Sequence, residues 1–363
     1  MSALLLAVAL QGVRILMDPL PGSDGTPERL QTYYRESPLP QPKLSPKKFP
    51  PLNEAFTFDW VAAGFVKLRE DTSWRLRFRV YPQTQPKGPQ DITFSTTRTL
   101  LRLWEIADSW GLDHQLTLPD RVVDVYLCWG GVKGGEQLFD HDPQVPRGEN
   151  DLVNTIYIYD LPSFEGEVER LREVAHEYGH AILPALGGYS DPESWGNGIL
   201  GERIFLRRLL SLLKEKRVPA RDMMDVSIPA LEAWVVKNVD APARIIATEG
   251  PDSSALRRKD GIGMGRTAAF GAYLETILPP RTFGRTLRLM DLDKPESLIK
   301  AAALAANEPD QLTMTVPAFL RKAPIWIPIG SGRLTNATIL AKKSGWAKIR
   351  VGVTDPVLTN RRS

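Results

Sequence analysis

The chain has 363 residues, 42% of them hydrophobic and 25% charged, which is ordinary for a globular protein and allows a sizeable core and two or three folding units. Its 46 basic and 43 acidic residues leave a net charge of +3 spread along the sequence, which excludes a basic stripe of the kind that grips nucleic acid. One cysteine, Cys128, excludes an internal disulfide framework and reads as a buried, inert thiol in a strand-like run.

In chain order, residues 1–12 resemble a signal peptide. The apolar run Met1 to Leu10 ends near the small-x-small site Ala7-Val8-Ala9, which predicts a secreted or periplasmic protein, with a cytoplasmic one as the alternative. The run is too short to span a membrane, and no transmembrane span is expected elsewhere. Residues 13–52 are rich in Pro, Ser and Lys and read as an extended arm, although Val13 to Met17 also suits a first strand. Strands are expected over 56–68 and 74–81. The second alternates apolar and basic residues, so Arg75, Arg77 and Arg79 should form an outward row.

A helix is predicted over 97–109, and strands over 122–129 and 153–160 from their aromatic and β-branched content. His114 and His141 fall in loop-like sequence and read as surface residues. The glycines of 130–135 and 261–265 lack the neighbours of a phosphate loop and read as turns. Further helices are expected over 171–183, from Trp195 to Leu210, and over 227–239, 264–278 and 295–306. Strand-like sequence returns from Trp326.

The densest chemistry lies in His176-Glu177-Tyr178-Gly179-His180. Positions four apart share a helix face, so two imidazoles can hold one Zn²⁺ while Glu177 reaches a water on the metal. The surrounding sequence suits a helix: Ser163 can cap it, Glu165, Glu167 and Glu169 favour the positive end of its dipole, and Pro184 stops it. A catalytic zinc needs a third protein ligand. The best carboxylate is Glu202, in the apolar first turns of the next helix. Asp191 and Glu193, in the intervening turn, are weaker alternatives and read as capping residues.

His-Glu-x-x-His is the shared signature of the zincin metallopeptidases. A third His six residues past His180 would mark the metzincins, and that position is Leu186. With Trp195, Asn197 and Glu202 following, the chain resembles the gluzincins, whose third ligand is a Glu on the next helix. The position that carries this ligand in the aminopeptidase-like branch is Gly198 here, so Glu202 would serve only with a shift of one helical turn. The segment 265–278 resembles the later active-site helix of that branch, but Met264 stands where an oxyanion-stabilising Tyr is expected. Tyr273 and Arg266 are the substitutes at hand, with Tyr273 reading as core packing.

The resemblance implies an α+β protein: a zincin-like catalytic domain over 53–215, a mainly helical domain over 216–325 and a small β segment over 326–363. It implies a zinc metallopeptidase with His176, His180 and Glu202 as ligands, Glu177 as general base and a peptide or protein substrate. In zincins the strand just before the metal helix is the sheet edge that aligns the peptide; residues 153–160 suit that role, and an interior strand suits them equally. An inactive zincin-fold binding protein and a zinc hydrolase of a non-peptide substrate are the alternatives.

Overall fold

The computed structural model describes residues 15–25, 30–36, 42–47, 58, 60–67, 73–83, 90–114, 122–143, 147 and 152–360. The signal-peptide-like segment lies outside them. The fold is mixed α+β, and no helix among the described residues is long and apolar enough to cross a membrane. The chain divides into two compact units. One comprises 1–106, 113–182 and 208–231; the other comprises 107–112, 183–207 and 232–363.

The first unit is built on a seven-stranded sheet in the order β1-β2-β3-β4-β5-β7-β6. Strands β1 (Ile15–Leu20), β2 (Leu30–Glu36), β3 (Trp60–Lys67) and β4 (Trp74–Pro82) form an antiparallel meander. Two stretches of the expected Pro-rich arm are therefore sheet strands. β5 (Val123–Leu127) and β7 (Leu152–Tyr159) continue the sheet in parallel, and β6 (Gly134–His141) closes it antiparallel to β7. Thus 153–160 is an interior strand, and β6 is the edge.

The sheet buries both faces. On one, Phe58, Tyr81, Tyr126, Tyr157 and Tyr159 pack with Leu138 and Cys128. Tyr81 stacks on Tyr126 at 4.8 Å between centroids, and Tyr126 on Tyr157 at 5.0 Å. Burial pushes these hydroxyls and the Cys128 thiol up in pKa. Tyr159 hands its hydroxyl proton to a hydrogen bond with Glu136 at 2.7 Å. Towards the other face lie α1 (Gln90–Trp110), whose Leu101 packs so closely on Gly64 of β3 that a methyl group there would press against it, and α2 (Glu167–Ile182), which packs on β6 and β7. α2 starts four residues after Ser163, which instead closes a 3₁₀ turn at Leu161–Ser163.

The arginines of β4 do not form an outward row. Arg77 is 2% exposed and makes a bidentate pair with Asp113, at 2.9 and 2.8 Å. Arg79 pairs with buried Asp124 at 2.6 and 2.9 Å. Only Arg75 lies in solvent. Alternation alone does not tell solvent from a buried acid, and a planar guanidinium matched by a carboxylate tolerates burial. In the same unit Arg102 of α1 is sealed between Asp222, at 2.6 Å, and Glu105, at 3.1 Å.

The second unit is mainly helical. Its elements include α3 (Asn197–Lys214) and α4 (Ile228–Val235), each begun or ended in the first unit, then α5 (Ala241–Glu249), α6 (Gly261–Ile277), α7 (Pro280–Arg288) and α8 (Pro295–Ala305). α6 is apolar all round, as a central helix should be. Asp260 caps it, accepting from the amides of Ile262 and Gly263, both at 3.1 Å. The Arg258 guanidinium and these amides hold the Asp260 carboxyl down at about 2. Tyr273 spends its hydroxyl on the carbonyl of Trp326, at 2.6 Å.

Two small antiparallel sheets complete the unit. One has the order β10-β13-β8, from Arg333–Thr335, Val357–Thr359 and Gln311–Thr313. The other has the order β11-β12-β9, from Ala337–Lys343, Trp346–Val351 and Ile325–Pro328. Trp346 and Ile349 of β12 are buried, with Trp346 packed on Phe270 of α6.

Candidate metal centre

α2 presents two unlike faces. Leu171, Val174, Ala175, Tyr178 and Ile182 are buried, whereas His176 and His180 are half-buried. The helical period puts Tyr178 roughly opposite the histidines. Its hydroxyl meets Nε2 of His114 at 3.0 Å, and its ring packs edge-on against Phe78 of β4. His114 is fully buried. The surface position expected for it is thus incorrect: it lies behind the metal-motif helix, held by its own main chain, whose amide donates to Asp113 at 2.8 Å. Asp113 also accepts from Arg77 and from Trp104 Nε1. Burial alone would raise the Asp113 carboxyl, but these donors outweigh it and hold the group below its usual range. His141 ends β6, half-buried, and is not part of this support.

On the other face the two imidazoles converge. Nε2 of His176 and Nε2 of His180 lie 3.2 Å apart. Two nitrogens about 2.0–2.1 Å from one tetrahedral zinc are separated by about 3.3 Å, so the pair fits a shared metal without rearrangement. Ligand atoms of His176, His180 and Glu193 all lie within 4.8 Å of one another, a group able to hold a metal ion. Glu202, the expected third ligand, is not in this group. It is buried on α3 beside Arg203, whose charge it favours. Gly198, the lost ligand position of the resemblance, is buried on the same helix. Glu193, the weaker ligand alternative that also reads as a cap, lies in the turn before α3, which starts at Asn197, four positions later.

Glu177 is almost wholly buried between the two histidines in sequence, and its side chain lies against the backbone of β6. A Cβ on Gly135 would overlap it, so the start of this edge strand must be glycine for the carboxylate to fit. Residues 130–133 form the turn expected there, but Gly134 and Gly135 belong to β6. Alternation then sends the neighbouring Glu136 to the aromatic face, where it accepts from Tyr159 and from the amide of Lys47. A polar edge strand, a buried acid and two convergent imidazoles thus meet within a few residues of one another. Met264, at the position of the expected oxyanion Tyr, is buried in α6, and Tyr273 is committed to packing.

No protein-family model matches the sequence, and no curated protein matches it significantly.

Proposed function

We propose that the protein is a zinc-dependent metallopeptidase in which His176, His180 and Glu193, rather than Glu202, hold the metal. The observation that carries this reading is the 3.2 Å approach of the two Nε2 atoms on the motif helix, with a carboxylate in the same group. When bound there, zinc would act as a Lewis acid on a carbonyl and lower the pKa of water. The two histidines must be neutral to donate, so metal binding weakens as pH falls through the imidazole range. Glu177, on the same helix, accepts a proton from the attacking water and returns it to the departing amine, so that one water is consumed per peptide bond cleaved. β6, the edge strand of the sheet among the described residues, runs beside this base and could align an extended substrate.

Metal analysis and cleavage of a generic unfolded protein test the reading together. The purified chain should carry about one zinc, and Glu193→Ala should strip it while Glu202→Ala retains it. Loss of zinc from Glu202→Ala alone would return the ligand to α3. Zinc without peptide cleavage would favour an inactive zincin-fold binding protein or a hydrolase of another substrate, in keeping with buried Met264 in place of a tyrosine.

A further inference from the structure

The C-terminal strands of the second unit end in an open sheet edge. β11 is bonded to β12 on one side and to no strand on the other among the described residues. Of its seven residues, Thr338 to Lys343 are all exposed. Ile339 is 37% and Leu340 46% exposed, so two large apolar side chains of the strand stand in water. The ladder to β12 shifts between Ile339 and Ala341, which leaves Leu340 as a bulge. Exposed rows of N–H and C=O groups of this kind are templates for another strand.

Charge selects the occupant. Over 326–360 the chain carries Arg333, Lys342, Lys343, Lys348 and Arg350 against one acid, Asp355. Asp355 is engaged by Arg321, and Lys343 by Asp252. Lys342, Lys348 and Arg350 have no ion-pair partner among the described residues. The register sets Arg350 opposite Thr338 and Lys348 opposite Ala341, so these cations flank the open strand. A bulge and lysines on an edge discourage indiscriminate pairing. Here they disfavour a second copy of this basic module and leave the edge open to a strand of opposite charge. The C-terminal end of β11 also opens on a groove. The turns Ser344–Gly345 and Gly330–Ser331 are shared by a shallow cavity of about 260 Å³ reaching Lys342 and a larger one of about 560 Å³ lined by Leu256, Ile299 and Leu304.

We propose that β11 is a docking edge for an extended acidic segment of another protein, which adds to the sheet as a further strand and seats an apolar side chain in the groove beside the Ser344–Gly345 turn. Main-chain bonds supply the grip, and the lysines and arginine supply the selection. The site lies wholly in the second unit and stands independently of the zinc reading.

Fluorescence anisotropy with the full-length protein at low salt tests the docking edge. The probes are a labelled acetyl-(Val-Glu)₄-amide, the same peptide N-methylated on alternate amides, a (Val-Lys)₄ peptide and a U₁₂ RNA. The acidic peptide should bind saturably. The lysine peptide and the N-methylated peptide should each bind at least about tenfold more weakly, since one lacks the charge and the other the strand-forming N–H groups. The triple variant Lys342→Glu, Lys348→Glu, Arg350→Glu should lose a similar factor for the acidic peptide. Should that variant fail to fold, the N-methylated probe decides on the wild-type protein. Three results would overturn the proposal: no binding of the acidic peptide, equal binding of its N-methylated form, or tighter binding of the RNA than of the peptide.

Discussion

The two faces of α2 show a division of labour within sixteen residues. The face carrying His176 and His180 is half-open, with Glu177 buried beside it, and holds the groups that the proposed chemistry would use. The opposite face, centred on Tyr178, is sealed and bonded through His114 and Asp113 to Arg77 of β4. A metal helix has to hold its ligands to within a fraction of an ångström, and side chains facing solvent cannot do that alone. The lesson is that the rigidity of the open face is supplied from behind, by a polar chain in which each buried group meets a partner. Substitutions on the two faces should therefore separate cleanly into losses of chemistry and losses of stability.

The largest effect is expected on the open face. Glu177→Gln keeps the shape of the side chain but cannot accept a proton. Peptide cleavage should fall by a factor on the order of 10² to 10⁴, with zinc content and thermal midpoint close to wild type. Full activity in this variant would remove the general base from the mechanism. Gly135→Ala tests the same face from the sheet side. Its methyl group would overlap the Glu177 carboxylate and displace it, so kcat should drop on the order of 10²-fold while the zinc stoichiometry holds.

The sealed face should respond in the opposite currency. Tyr178→Phe deletes the hydroxyl that meets His114, at a cost of about 1 kcal/mol in urea unfolding, with zinc retained. Zinc loss without a change in unfolding would mean that Tyr178 serves the metal directly. The smallest effect concerns acid. Because Asp113 is held below its ordinary value in the folded chain, its contribution is complete above the unfolded pKa of about 3.9 and disappears as pH falls through the lower folded value. Asp113→Asn should flatten the stability profile in that acid window, which circular dichroism against pH would record.

Much of this arrangement was legible in the amino-acid order, and the gaps have physical causes. The motif helix, the following helix from the Trp195 region and α6 follow from helical periodicity and stop signals, which are local. β7 announced itself by aromatic and β-branched residues, but its interior place did not, because pairing partners lie far away in sequence. β6 was hidden altogether: Gly134-Gly135-Glu136 with Asp140 and His141 has the composition of a turn, and only the approach of α2 explains why glycine belongs there. Within the expected arm, β1 and β2 are fixed as strands by their pairing in the meander, which joins them to distant β3. His114 looked like a loop histidine since nothing local predicts Tyr178 as its neighbour. Glu193 ranks behind Glu202 as a ligand for the same reason: a short turn with Asp191 and Pro192 looks like a cap, and nothing local records its distance from the histidines.

Cys128 gives the sheet a built-in reporter. It is the chain's one thiol, it is fully enclosed at the end of β5, and its surroundings suppress the thiolate. An aromatic disulfide reagent therefore reacts only with molecules in which that neighbourhood has opened, and each exchange leaves an aryl disulfide on Cys128 and releases one coloured aryl thiolate. The reaction rate under native conditions counts openings of the strand region directly. No engineered label is needed, and the measurement is blind to His176 and His180.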